Sequence, residues 1–151
     1  MPVVTSWRTL VVGLCIAFSA APAAAQCSAS ANSVAFGDYD PLSGLSVDSV
    51  GSVSVSCTLS MGYSIALSAG GAGNFAPRKM SSGANSLNYN LYTDPTYLTV
   101  WGDGNGGTAT VPGAIGVLLL PIDHVVYGRI PAGQNSAAGN YSDTISVTVT
   151  Y

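Results

Sequence analysis

Asp-Thr-Ile-Ser-Val-Thr-Val-Thr-Tyr, residues 143–151, is the stretch that decides the fold. Ile145, Val147, Val149 and Tyr151 alternate with Thr144, Ser146, Thr148 and Thr150. Successive side chains on a strand point to opposite faces, so this segment carries one apolar face and one hydroxyl face. Six of its nine residues are β-branched, which suits a half-buried extended chain.

The same period recurs upstream. In residues 51–58, Val53, Val55 and Cys57 share a face opposite Ser52, Ser54, Ser56 and Thr58. Tyr63, Ile65 and Leu67 repeat the pattern, and so do Leu87, Tyr89 and Leu91. Residues 33–39 read as a short first strand, broken by Asp40-Pro41 and Ser43-Gly44. Residues 97–101, 108–111 and 123–130 read as further strands, and residues 114–120 form the most apolar run after the leader. Residues 74–80 hold Pro77 and the adjacent Arg78-Lys79, which fits an edge or a loop. No apolar period of 3.6 residues emerges. Short strands between closely spaced turn signals imply an all-β sandwich.

Residues 1–25 stand apart. Arg8 gives a positive start, residues 10–18 an apolar run, and Ala23-Ala24-Ala25 a small-residue cleavage site. This pattern predicts a secretory signal peptide, too short to span a membrane. Residues 26–151 then form one domain of 151 − 25 = 126 residues. Its three basic residues (Arg78, Lys79, Arg129) face seven aspartates, a net charge of 3 − 7 = −4. A nucleic-acid binder needs a basic face, so that class is excluded. Cys27 and Cys57 remain after Cys15 leaves with the leader. An even pair in an oxidising compartment predicts a disulfide. Two thiols and one His at these spacings make a poor metal site.

The blocks Val34-Ala35-Phe36-Gly37-Asp38-Tyr39-Asp40-Pro41, Gly51 to Cys57-Thr58, and Arg78-Lys79-Met80 resemble the spore coat protein U domain family. So do Leu87-Asn88-Tyr89-Asn90-Leu91-Tyr92, Val100-Trp101-Gly102-Asp103-Gly104, residues 127–134 and residues 141–151. The resemblance runs in order through residues 27–151. It implies an immunoglobulin-like β-sandwich that is incomplete, lacking its last strand, and is complemented by a donor strand. It also implies a periplasmic chaperone that lends a strand, an outer-membrane usher, and other pilus subunits as partners, with passage through the periplasm to the cell surface. The donor-strand groove is then expected beside Ile145, Val147, Val149 and Tyr151. A donor burying about five apolar side chains contributes on the order of 7–15 kcal/mol, as much as the whole stability of a domain. Only Gln26 lies between the expected cleavage site and Cys27, so a place at one end of a fibre is expected. The alternatives are a non-polymerising coat or matrix protein and a glycan-binding adhesin.

Other motifs have plainer readings. His124 beside Asp123 lies in an alternating strand, so a structural or exposed imidazole is expected rather than a triad member. Gly71-Ala72-Gly73-Asn74-Phe75-Ala76 fits a dinucleotide pattern by letter, but Pro77 follows where a helix is needed. Asp103-Gly104-Asn105-Gly106-Gly107 has half the oxygen ligands of a calcium loop and reads as a hairpin turn. Arg78 and Lys79 are expected as a solvated pair at a strand edge. Tyr63, Tyr89, Tyr92, Tyr97, Trp101 and Tyr127 are expected mainly in the core or in cross-strand pairs. No cofactor, metal or catalytic residue is expected.

Overall fold

The computed structural model describes residues 26–58, 62–113 and 120–151. The expected signal peptide and residues 114–119 of the apolar run lie outside these. Eight strands are present among the described residues: β1 (Cys27–Asn32), β2 (Val47–Cys57), β3 (Tyr63–Leu67), β4 (Arg78–Ser82), β5 (Asn85–Tyr92), β6 (Val111–Gly113), β7 (Ile122–Ile130) and β8 (Val147–Thr150). They form a five-stranded sheet in the order β1-β2-β7-β5-β4 and a three-stranded sheet in the order β6-β3-β8. Every pair of neighbouring strands is antiparallel. This is an all-β, immunoglobulin-like sandwich.

The core follows from the alternation. Val53 and Val55 of β2, Ile65 and Leu67 of β3, Leu87 and Leu91 of β5, and Val126 and Ile130 of β7 are buried between the sheets. Trp101 is fully buried, and its indole N–H donates to the Ile65 carbonyl at 3.0 Å. That bond satisfies the one polar atom of the largest core side chain.

Several strands differ from the sequence reading. The first strand is β1, not residues 33–39. Its Cys-Ser-Ala-Ser-Ala-Asn sequence alternates only small residues, and all but Cys27 are exposed. It is held instead by a six-residue register against β2 and by the Cys27–Cys57 disulfide, whose residues are directly opposite. Residues 33–39 have no ladder partner. Residues 97–101 do not form a strand: the Asp94 carboxylate accepts backbone N–H groups from Thr96 and Thr99 at 3.0 and 2.9 Å and curls the chain. The expected strand at 108–111 starts later, as β6. The final strand is shorter than residues 143–151, because side chains take the backbone N–H groups at its start. Thr144 N–H donates to Asp143 Oδ1 at 2.8 Å and Ser146 N–H to Ser68 Oγ at 2.9 Å.

Arg78 is the largest departure. It is fully buried, whereas Lys79 beside it is exposed. β4 is an edge strand as expected, but Arg78 points inward, in register with buried Tyr89.

Candidate functional site

β8 is hydrogen-bonded on one side only among the described residues, with Val147 opposite Leu67 and Val149 opposite Ile65 on β3. At its start, Val147, together with Ile145 just before the strand, lines a cleft. One half of the cleft, about 480 Å³, runs between residues 31–36 and residues 141–147. Its floor is the sandwich core, including Val53, Leu67, Leu91 and Val126. The other half, about 610 Å³, continues between residues 34–41 and residues 136–141, over Met80, Leu87 and Ile130. The halves adjoin, sharing Val34, Phe36, Met80 and Tyr141 in their linings.

Two inward glycines set the near wall. A Cβ on Gly51 would lie 2.8 Å from the Val34 side chain, and one on Gly128 would lie 2.6 Å from Val34 and 2.8 Å from Phe36. The missing side chains let residues 34–36 cross β2 and β7 at close approach. Phe36 then meets Tyr89 edge to face at 5.9 Å between centroids. Few polar bonds hold this wall: Ser49 Oγ donates to the Ala35 carbonyl at 2.6 Å, and Gln134 N–H to Tyr39 Oη at 2.9 Å.

The far wall is anchored by Asp143. Its carboxylate accepts from Gly71 N–H at 2.8 Å and from Tyr89 Oη–H at 2.7 Å. Gly70 has φ +71° and packs against that carboxylate where a Cβ would sit, so glycine is required on both counts. Burial, then the bond to Asp143, raises the Tyr89 pKa far above the usual phenol value, so Tyr89 stays a donor. Arg78 ties the elements beneath. It donates to the Ser68 carbonyl at 3.0 and 2.8 Å, to the Trp101 carbonyl at 2.7 Å and to Asn90 Oδ1 at 2.8 Å. Burial lowers its pKa; Tyr89, Asp143 and Asp103 pull it back up.

The sequence pattern of the Spore Coat Protein U domain matches residues 14–148. The chain belongs to the spore coat protein U domain family. It is 38% identical over 129 residues to Protein U of Myxococcus xanthus, covering 77% of this chain and 70% of that one. A solved structure, the CsuC–CsuE chaperone–tip adhesion subunit pre-assembly complex from archaic chaperone–usher Csu pili of Acinetobacter baumannii, matches with a TM-score of 0.62. The match covers 85% of this chain at 21% identity and 40% of the solved chain, so it establishes the fold.

Within this spore coat protein U domain, the residues singled out from sequence fall in different places. Ile145 and Val147 line the cleft. Val149 is half-buried against the core, and Tyr151 lies past the end of β8, 53% exposed. Cys27 and Cys57 are bonded. Leu120, from the apolar run, is exposed. His124 is half-buried, with Nε2 2.9 Å from Tyr63 Oη, and burial lowers its pKa despite Asp123. The glycine-rich letters at 71–76 follow the start of a 3-10 turn (Gly70–Ala72) and lead into β4, not a helix. In the 103–107 turn, Asp103 Oδ1 accepts from Asn105 N–H at 2.9 Å, an internal use of the oxygen a cation would need. Tyr63, Tyr89 and Trp101 are buried. Tyr92 lies opposite Tyr127 on the large sheet and packs edge to face on Tyr97 at 5.4 Å. Arg129 pairs with Asp48 through bonds of 2.6 and 2.7 Å and stacks 3.7 Å over the Tyr97 ring.

Sequence reasoning missed the near wall and the Asp143 anchor. Val34 and Phe36 already alternate toward the interior, and that signal was available. The glycine track beneath them is visible only once β2 and β7 are paired.

Proposed function

We propose that this domain is a non-enzymatic, secreted structural subunit of a chaperone–usher fibre, and that it accepts a donor strand into the cleft beside β8. The observation that carries this reading is that β8, among the described residues, pairs on one side only, and that its first residue lines a slot floored by the core. The near wall spans residues 31–41. Backbone hydrogen bonds to the free edge of β8 supply affinity, and alternate side chains enter over Leu67, Val126 and Met80. An unpaired apolar edge is prone to association, so a periplasmic chaperone covers it first. An outer-membrane usher and neighbouring subunits then exchange that strand, and the product stands at the cell surface. Resemblance to a chaperone-bound subunit supports these partners by fold.

β1 is bonded to β2 along its length and closed by the disulfide, so Cys27–Asn32 is not free to be lent. With cleavage after Ala25, the subunit accepts a strand without giving one, and it takes an end position in a fibre.

The test is hydrogen exchange on purified residues 26–151, with and without a synthetic ten-residue peptide of alternating apolar residues. Binding is expected to slow exchange of the β8 amides that face the cleft. A peptide that binds with no protection there, or does not bind at all, sinks the reading.

Membership of the spore coat protein U domain family favours a second reading, a coat or matrix protein that keeps the cleft but does not polymerise. Stable co-purification with a chaperone from the same secretion system separates the two.

A further inference from the structure

The turn that joins Trp101 to β6 holds two residue pairs with the same latent chemistry, Asp103-Gly104 and Asn105-Gly106. In each, the backbone nitrogen of the glycine can attack the carbonyl carbon of the preceding side chain and close a five-membered succinimide ring. Glycine has no Cβ to obstruct that approach. The fold treats the two pairs differently.

At the first pair both reactants are engaged. Gly104 N–H donates to Thr108 Oγ at 3.1 Å. The Asp103 carboxylate accepts from Asn105 N–H at 2.9 Å, which holds its pKa below the usual carboxylate value. Asp103 therefore stays ionised at neutral pH, and a carboxylate is a poor electrophile.

At the second pair they are free. Asn105, Gly106 and Gly107 are exposed, and a Cβ on Gly106 would meet nothing within 4 Å, so water reaches the site. Among the described residues Gly106 N–H donates to no other group. Gly106 and Gly107 have φ +59° and +83°, both positive as in the mirror-image tight turns. Thr108 closes the turn, its N–H and Oγ–H donating to the main-chain carbonyl of Asn105 at 3.1 and 2.8 Å. Neither that carbonyl nor those donors enter the succinimide ring, so the ring can close while the turn stays intact. No other asparagine of the chain precedes a glycine.

We propose that Asn105 is a site of spontaneous self-modification in the folded protein, converting to aspartate and isoaspartate through a succinimide. The Gly106 nitrogen bonds to Asn105 Cγ and gives up its proton. The bond from Cγ to the side-chain nitrogen breaks, and that nitrogen leaves with the proton as ammonia. Water then adds to one of the two ring carbonyls; opening at one gives aspartate and at the other isoaspartate. Either product places a new negative charge beside Asp103. Isoaspartate also lengthens the main chain by one methylene, and the carbonyl to which Thr108 donates becomes a pendant carboxylate. The next pair along, Gly102 N–H to the Ala109 carbonyl at 2.9 Å, borders Trp101, so the altered turn sits at the end of the segment that carries the buried indole.

The experiment incubates the purified protein in mildly alkaline and mildly acidic buffer, beside the same chain unfolded in urea and the folded variant Asn105→Gln. Glutamine would need a six-membered ring, which closes far more slowly. Isoelectric focusing and peptide mapping by mass spectrometry read the outcome. The folded wild-type protein is expected to gain a band shifted by one charge toward the acidic side, faster in the alkaline buffer because the attacking nitrogen must be deprotonated. Mapping should find aspartate and isoaspartate in place of Asn105, and the variant should lack the band. A band that grows in urea and not in the folded protein overturns the proposal, because the turn then shields Asn105. A band that persists in the variant, with the charge at another asparagine such as Asn135, overturns it as well. Aspartate without isoaspartate rules out the ring.

Discussion

The guanidinium of Arg78 donates to the carbonyl of Trp101 at 2.7 Å, and both residues are fully buried. The same group reaches Ser68 on the turn after β3 and Asn90 on β5. One planar cation thus joins both sheets and the connection that carries the tryptophan. Removing it leaves the Ser68 and Trp101 carbonyls unmet, each costing about 1–3 kcal/mol. Arg78→Ala is expected to destabilise the domain by about 4 kcal/mol in a urea titration. Arg78→Lys should recover little of this, because an ammonium cannot replicate the planar fork.

The Cys27–Cys57 bond closes a 30-residue separation and fixes the first register pair of β1 on β2. Loop entropy assigns it about 3–4 kcal/mol. The variant Cys27→Ser, Cys57→Ser should lose that amount in denaturant unfolding. Reductant should shift the wild-type melting temperature and leave the variant unmoved.

A negative charge in the slot should separate folding from strand acceptance. Ile145 is half-buried at the cleft edge, so Ile145→Asp is expected to lower stability by about 1 kcal/mol or less. A lent apolar side chain packed against it would meet a carboxylate without a partner, so peptide affinity should fall about 100-fold. Isothermal titration measures this. The complementary variant, Gly128→Val, strikes the wall from below. It should cost about 1–3 kcal/mol by overpacking against Val34 and Phe36.

The pH dependence has two windows. The folded-state pKa of His124 is depressed by burial, so the unfolded chain takes up the proton first as pH falls. Stability from neutral His124 is complete above about 6.5 and is lost as pH drops toward the folded value. His124→Gln should flatten that part of the profile. The carboxylates act lower. Asp94 is brought down to about 2 by the Thr96 hydroxyl and by N–H groups of Thr99, Leu98 and Thr96. Its contribution is present above about 4 and disappears as pH falls toward 2. Unfolding followed by fluorescence from pH 8 to 2 should show both steps in the wild-type protein.

The parts of the fold that sequence revealed are those in which one period covers a whole strand. Tyr63, Ile65 and Leu67 alternate without interruption and are all buried. Leu87, Tyr89 and Leu91 do the same. β1 was hidden because its Ser and Ala residues carry no burial signal; its place comes from a covalent bond and a backbone ladder. Arg78 departs from its sequence reading because its charge suggests solvent, while its guanidinium makes four hydrogen bonds to Ser68, Trp101 and Asn90 oxygens that only the folded chain gathers. Ile145 and Val147 were marked by alternation and do line the cleft, whereas Tyr151 continues the pattern past the last ladder pair. Phe36 and Val34 carried the right period, but nothing in it says that the opposite neighbour is an open slot.

The slot runs lengthwise beside residues 136–147, which lead into β8, rather than across them. A guest ribbon lying there would be tugged along its own length when the assembly is stretched. All its rungs would share the load at once, and none could peel first. Resistance to stretching would then depend on the rate of the slowest collective rupture, and a modest equilibrium affinity could still give a tough thread.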